Sequence, residues 1–200
     1  MTRTHLLIAL TADHGESLTE HGIYFGHHGL YDELIHVPLI LYYPAEIPAR
    51  RIEATVQHID LMQTILDLAR IEYDHESLDG RSLLPLLKSD NRNEFRDFVY
   101  VEEAKCQREF AIRTADFKYI FAPSKQDAMC SYCGKIHGGI EELYDLRLDP
   151  GELRNIADEQ PEIRVKLKEM LERHILAIEN SRNKSQLRNI IPHLKVAGRI

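Results

Sequence analysis

The chain has 200 residues, 44% hydrophobic and 28% charged, enough to bury a core in one or two domains. Its formal net charge of −7 argues against a nucleic-acid partner, which normally meets a basic face, and means that an anionic substrate must be drawn by a local cation. No apolar run approaches the roughly 20 residues of a membrane span, the opening Met-Thr-Arg-Thr-His lacks the apolar segment of a signal peptide, and three cysteines are too few and too odd for a disulfide scaffold. The compartment stays open.

Leu6–Leu10 is short, apolar and bounded by polar residues, which predicts a buried strand. Such a strand needs neighbours on both sides, and little chain precedes it to supply them. It runs into Thr11-Ala-Asp13-His14-Gly15-Glu16, an acidic residue and a histidine at a strand exit, with a glycine that lets the backbone turn. The first 36 residues hold six of the eleven histidines, His21, His27, His28 and His36 among them. A ligand pair with a supporting cluster is how a metal-assisted hydrolase site looks in sequence. A bare Asp-His-Gly would more often be a capping aspartate beside a hydrogen-bonded core histidine.

Pro38–Tyr43 predicts a second buried strand, its proline at the first position, where no ladder donor is lost. Ile59–Arg70 predicts a helix with Asp60 as N-cap and Leu61, Ile65, Leu68 and Ala69 on one face. Leu83–Leu87 is a short apolar segment after the Asp79-Gly80 turn, and the charged stretch Ser89–Arg96 is a candidate boundary. The pattern then changes to period two. Phe98–Val101, Phe110–Arg113, Lys118–Phe121 and Glu142–Leu146 predict short antiparallel strands. Pro161 opens an amphipathic helix whose stripe is Ile163, Leu167, Met170, Leu171, His174, Ile175 and Ile178, and the polar Asn180–Arg188 reads as a solvated tail.

These blocks, in this order, resemble the C-terminal portion of a sulfatase, within the alkaline phosphatase superfamily. Residues 11–16 resemble the family's metal-binding turn, and Gly26-His-His-Gly-Leu-Tyr-Asp-Glu-Leu-Ile-His-Val-Pro-Leu-Ile40 its substrate-contact loop and the following strand. Ile59–Leu68, Asp79-Gly-Arg-Ser-Leu83, Ala111–Thr114 with Lys118-Tyr-Ile120, and Glu142–Leu146 with Asp149, Pro150 and Asn155 follow in family order. The resemblance implies an α/β fold: an incomplete alkaline-phosphatase-like mixed sheet with helices, then a small α+β subdomain with a four-stranded antiparallel sheet and a packed helix. On that division residues 1–90 are the C-terminal part of the catalytic domain, 91–180 the subdomain and 181–200 a tail.

The family's Cys/Ser-x-Pro-x-Arg sequence, whose Cys or Ser becomes the formylglycine nucleophile, is absent from these 200 residues. So is the family's first metal-binding acidic pair. The resemblance therefore implies a formylglycine on a separate N-terminal segment and a chain that is inactive alone. It implies one divalent metal held by Asp13 and His14: calcium by family habit, with manganese or zinc suited to the histidine. His27 falls where relatives place a residue that touches the sulfate and protonates the leaving oxygen, and His28 is the alternative if the loop is offset by one. His21 either lines that loop or packs beneath it. Glu16 and Glu20 read as supporting groups, and Tyr31 and Asp32 as anchors of the loop.

The expected function is hydrolysis of a sulfuric ester, an aryl, carbohydrate or choline sulfate. Phosphodiester or phosphonate ester hydrolysis on the same scaffold, or a non-catalytic fragment that binds a partner, are the alternatives. Cys130-Ser-Tyr-Cys133 followed by His137 is compatible with half a zinc site. Four ligands are the norm for structural zinc and the sequence offers three nearby, so the segment reads as an exposed hairpin loop.

Overall fold

The computed structural model describes residues 6–88 and 95–197, with side chains described up to residue 181. Residues 89–94 of the expected charged boundary lie outside that range. In order, the elements are β1 (Ile8–Thr11), a helical turn α1 (Asp32–Ile35), β2 (Leu39–Tyr42), α2 (Asp60–Ala69), α3 (Leu84–Lys88), β3 (Val99–Glu103), β4 (Glu109–Arg113), β5 (Phe117–Phe121), β6 (Glu141–Asp145) and α4 (Pro161–Ala197). The helical backbone of α4 thus continues through the polar stretch expected as a tail.

β1 and β2 pair antiparallel, Ala9 opposite Leu41 and Leu10 opposite Ile40. Here the expectation of burial needs correction. Leu7, Leu39, Leu41 and Tyr43 pack against Leu68 of α2 and Leu86 and Leu87 of α3, but Ile8 and Leu10 are 45% and 53% exposed and Ile40 is 57% exposed. The pair has a core on one face and an open apolar face on the other, because no further strand or helix of the described residues covers it.

The second sheet runs β3-β4-β5-β6, all antiparallel. Its period-two pattern assigns the faces. Ile112, Tyr119 and Leu143 point toward Leu167 and Leu171 of α4. Their neighbours Ala111, Ile120 and Tyr144 point the other way, onto Ile23, Leu30, Tyr31 and Leu34. The histidine-rich segment is therefore one of the two layers that enclose this sheet. Burying each large side chain here stabilises the fold by about 1.5–3 kcal/mol.

Asp60 is not the N-cap of α2. Ile59 holds that position without a side-chain cap. The fully buried Asp60 carboxylate instead accepts from the backbone N–H of Gln57 (2.8 Å) and Arg81 (2.9 Å) and pairs with Arg96 at 2.5 Å. It ties the strand-to-helix loop to the Asp79-Gly80 turn.

Candidate functional site

Gly15 shapes the turn after β1 for a reason other than a turn-permissive φ. A Cβ on Gly15 would drive into the Glu33 carbonyl oxygen, and the Gly15 N–H donates to the Leu34 carbonyl at 2.7 Å. The missing side chain lets the 11–16 turn lie directly against α1. Gly15→Ala should cost about 1–3 kcal/mol, the usual range for overpacking, read as a lowered midpoint of urea unfolding.

Beyond that contact the turn carries Asp13 and His14 into solvent. The Asp13 carboxylate accepts from the His14 backbone N–H (3.1 Å) and lies 3.7 Å from His14 Nε2. It is held below the usual carboxylate range by its own backbone N–H, the His14 imidazole and the His14 N–H. His14 Nδ1 is 2.6 Å from the Gly15 carbonyl oxygen. A carbonyl only accepts, so Nδ1 carries a proton, and Nε2, on the side of Asp13, is the ring atom available to a metal. That is the arrangement a metal-ligating histidine needs.

His27 reaches the same place from the 26–31 loop. Its ring stacks on His14, centroids 4.1 Å apart and 20° between planes. Glu16 Oε2 faces His27 Nδ1 at 3.4 Å, leaving Nε2 for another partner. One ligand atom each from His14, Glu16 and His27 falls within 4.8 Å of the others. Glu16, read from sequence as a supporting group, thus stands inside the cluster.

His28 points elsewhere. Its ring is buried beside His137, centroids 5.3 Å apart. The two histidines offered as alternatives for one role occupy two different environments, as adjacent residues of an extended loop do. His21 packs beneath the loop, stacked on Tyr31 at 3.6 Å with 3° between planes and 3.5 Å from Glu33. Burial lowers its pKa. Glu20 is structural: the N–H groups of Thr19, Glu20 and Leu18 hold its carboxyl at about 2.

The loop is anchored at two points. Tyr31 Oη donates to Glu142 Oε2 (3.0 Å) and lies 3.1 Å from the His137 carbonyl. Asp32 accepts from Arg113 Nε (3.0 Å) and Nη2 (2.9 Å) and pairs with Lys118 Nζ at 2.6 Å. Lys118 Nζ also reaches Glu152 Oε1 (2.7 Å) and the Leu30 carbonyl (3.0 Å). Neither Lys118 nor Glu152 carried a functional signal in sequence; the period-two placement of Lys118 on the buried face of β5 is the one clue.

A family profile for the C-terminal part of N-sulphoglucosamine sulphohydrolase matches residues 19–180. The chain belongs to the sulfatase family. An N-acetylglucosamine-6-O-sulfatase from Bacteroides thetaiotaomicron is 30% identical over 159 residues, covering 75% of this chain and 26% of that sulfatase. The structure of BT4656 in complex with its substrate D-glucosamine-2-N,6-O-disulfate superimposes with a TM-score of 0.64 at 29% identity, covering 84% of this chain and 33% of BT4656. A phosphonate monoester hydrolase of Agrobacterium radiobacter gives a TM-score of 0.62 at 26% identity, covering 82% of this chain and 34% of the hydrolase. The chain spans 26% to 32% of the length of eight curated sulfatases. The fold is that of the sulfatases and their alkaline-phosphatase-like kin, with the small antiparallel sheet and C-terminal helix intact. The turn carrying Asp13 and His14 precedes the profile match. Among the described residues no helix is long and apolar enough to cross a membrane.

Proposed function

We propose that this chain supplies the metal and leaving-group side of a sulfuric ester hydrolase active site. Asp13 and His14 would hold one divalent cation, and His27 would hand a proton to the departing alcohol. The nucleophile, a formylglycine by family, would come from a segment outside these residues. One observation carries the reading: the 26–31 loop stacks His27 on His14, whose Nδ1 is engaged by the Gly15 carbonyl and whose Nε2 lies 3.7 Å from the Asp13 carboxylate.

The donor set fits a divalent cation, since an imidazole whose Nδ1–H is already spent on a carbonyl and an ionised carboxylate are both ready ligands. The imidazole suits manganese or zinc as well as calcium. When bound, such a cation neutralises the ester anion and polarises it. The chain's own residues do the rest. Asp13 and His14 fix where the anion sits, and His27, oriented by Glu16, holds a proton on Nε2 within reach of the leaving oxygen. The open apolar face of β1 and β2 supports its being covered by another segment of the protein.

The substrate class is a sulfate ester of a carbohydrate or other small alcohol, supported by the sulfatase relatives. Phosphonate or phosphodiester hydrolysis is the second reading, supported by the likeness to the phosphonate monoester hydrolase. Two measurements decide. Purified alone, the chain should not turn over an aryl sulfate; turnover that disappears in Asp13→Ala would contradict the split of the site. Combined with its nucleophile-bearing segment, it should favour an aryl sulfate over an aryl phosphodiester in kcat/KM, and the reverse preference would establish the second reading.

A further inference from the structure

The segment between β5 and β6 forms the exposed hairpin its sequence suggests, with Met129 bridging Ile136 and residues 131–135, Cys133 included, exposed at the tip, but its base turns inward. Cys130 is fully buried and His137 nearly so. The fourth candidate ligand comes from a hundred residues away. His28, Cys130, Cys133 and His137 each offer one donor atom, and all four donors lie within 4.8 Å of one another. Tetrahedral zinc with Zn–S near 2.3 Å and Zn–N near 2.0–2.1 Å places its ligand atoms roughly 3.3–3.8 Å apart, and Cys133 Sγ to His137 Nε2 is already 3.1 Å.

Three further observations point to a ligand rather than to packing. His28 Nε2 is buried and has no hydrogen-bond partner, a costly state for a ring nitrogen unless something else engages it. His137 Nδ1 lies 3.2 Å from the His21 carbonyl oxygen. That oxygen can only accept, so the Nε2 lone pair of His137 is directed into the cluster, with the outer hydrogen bond that metal-bound histidines usually make. The Cys130-Ser-Tyr-Cys133-Gly134 turn is folded back on itself. Gly134 N–H donates to the Cys130 carbonyl (2.8 Å), Cys130 N–H donates to Lys135 (2.8 Å), and Gly134 has a φ of +69°. Gly26 completes the fit, since a Cβ there would meet the His28 ring at 2.9 Å.

We propose that His28, Cys130, Cys133 and His137 bind one zinc ion as a closed, four-ligand structural site. Two thiolates and two imidazoles in a tetrahedron favour zinc over calcium, magnesium or manganese, which prefer oxygen. With no ligand position left for water, the ion has no part in ester chemistry. It clamps the 122–140 segment onto the 26–31 loop and so fixes the peptide next to His27. It also assigns His28 to the clamp rather than to proton transfer. The proposal does not depend on the Asp13–His14 reading, and its failure would leave that reading untouched.

The test uses the 200-residue chain, purified reduced and loaded with zinc or cobalt(II) alone. We expect one equivalent of tightly held zinc, X-ray absorption with two sulfur and two nitrogen neighbours, and a cobalt form with a thiolate charge-transfer band and tetrahedral d–d bands. Thiol titration should find Cys130 and Cys133 protected until a chelator is added. His28→Ala should weaken zinc binding by more than about 100-fold, beyond what loss of an outer hydrogen bond costs, while an Asp13→Ala, His14→Ala double variant keeps the charge-transfer band. A shell of oxygen and nitrogen only, a Cys130–Cys133 disulfide in the reduced preparation, or unchanged affinity in His28→Ala would overturn the proposal. The absorption measurement on the unaltered chain decides even if a variant fails to fold.

Discussion

Replacing His27 with alanine in the chain combined with its nucleophile-bearing segment should lower kcat for a poor leaving group by about 10²-fold or more, the range for loss of a positioned general acid. The same change should matter far less for an ester whose alcohol leaves readily without a proton. That contrast separates proton donation from positioning. His27 sits 3.4 Å from Glu16 and stacks on His14, so its removal could also disturb the metal pair. A disturbance of that kind would depress both substrates equally and lower metal content. His27→Gln keeps a hydrogen-bonding side chain of similar reach but cannot cycle a proton near neutral pH. It should therefore retain metal and still lose turnover on the poor leaving group. If kinetics are unchanged in His27→Ala, the proton donor lies outside this loop, because His28 is turned away into the Cys130–His137 cluster.

Much of the candidate site was legible because its signal is local. Asp13 and His14 are adjacent at a strand exit, and His27 lies within the same histidine-rich stretch. The period-two runs near Tyr119 and Leu143 located the small sheet to within a residue or two. What escaped depends on distant contacts. His28 meets Cys130 and His137 only because the loop packs on one face of the β3–β6 sheet while the segment between β5 and β6 folds over it. No spacing rule joins residues 28 and 130. Asp60 looked like a cap because a helix begins there, yet its partners are Arg81 and Arg96, fixed by how α2 meets the following turn. The apolar strands β1 and β2 read as buried on composition, whereas the described residues pack against only one face of the pair.

Lys118→Met should destabilise the assembled protein by about 3–5 kcal/mol, the cost of stranding buried carboxylates without their cation. The ammonium is fully buried and its three donors are matched to Asp32, Glu152 and the Leu30 carbonyl. Methionine fills the space but leaves Glu152, itself buried, without a counter-charge. Burial already raises Glu152 above its ordinary range, with Lys118 opposing it. In the variant the native state should hold a proton on Glu152 to higher pH than the unfolded chain does. Stability then falls as pH rises above the ordinary carboxylate range, so the deficit in urea unfolding should be smaller at pH 5 than at pH 7.5. Lys118→Met combined with Glu152→Gln should recover part of the loss and flatten that slope. Asp32 behaves oppositely. Burial pushes it up, but hydrogen bonds and charge from Arg113 and Lys118 outweigh this and hold it at about 2 against an ordinary 3.8. The stability it lends is complete above pH 4 or so and is lost as pH falls toward 2. Arg113 still holds Asp32 in the variant, so its acid limb should shift only in part. Because Leu30 and Asp32 flank Tyr31 in the same loop as His27, loosening this network should raise KM before it lowers kcat. An equal loss of stability at pH 5 and pH 7.5 would mean that packing, not charge, is what Lys118 contributes.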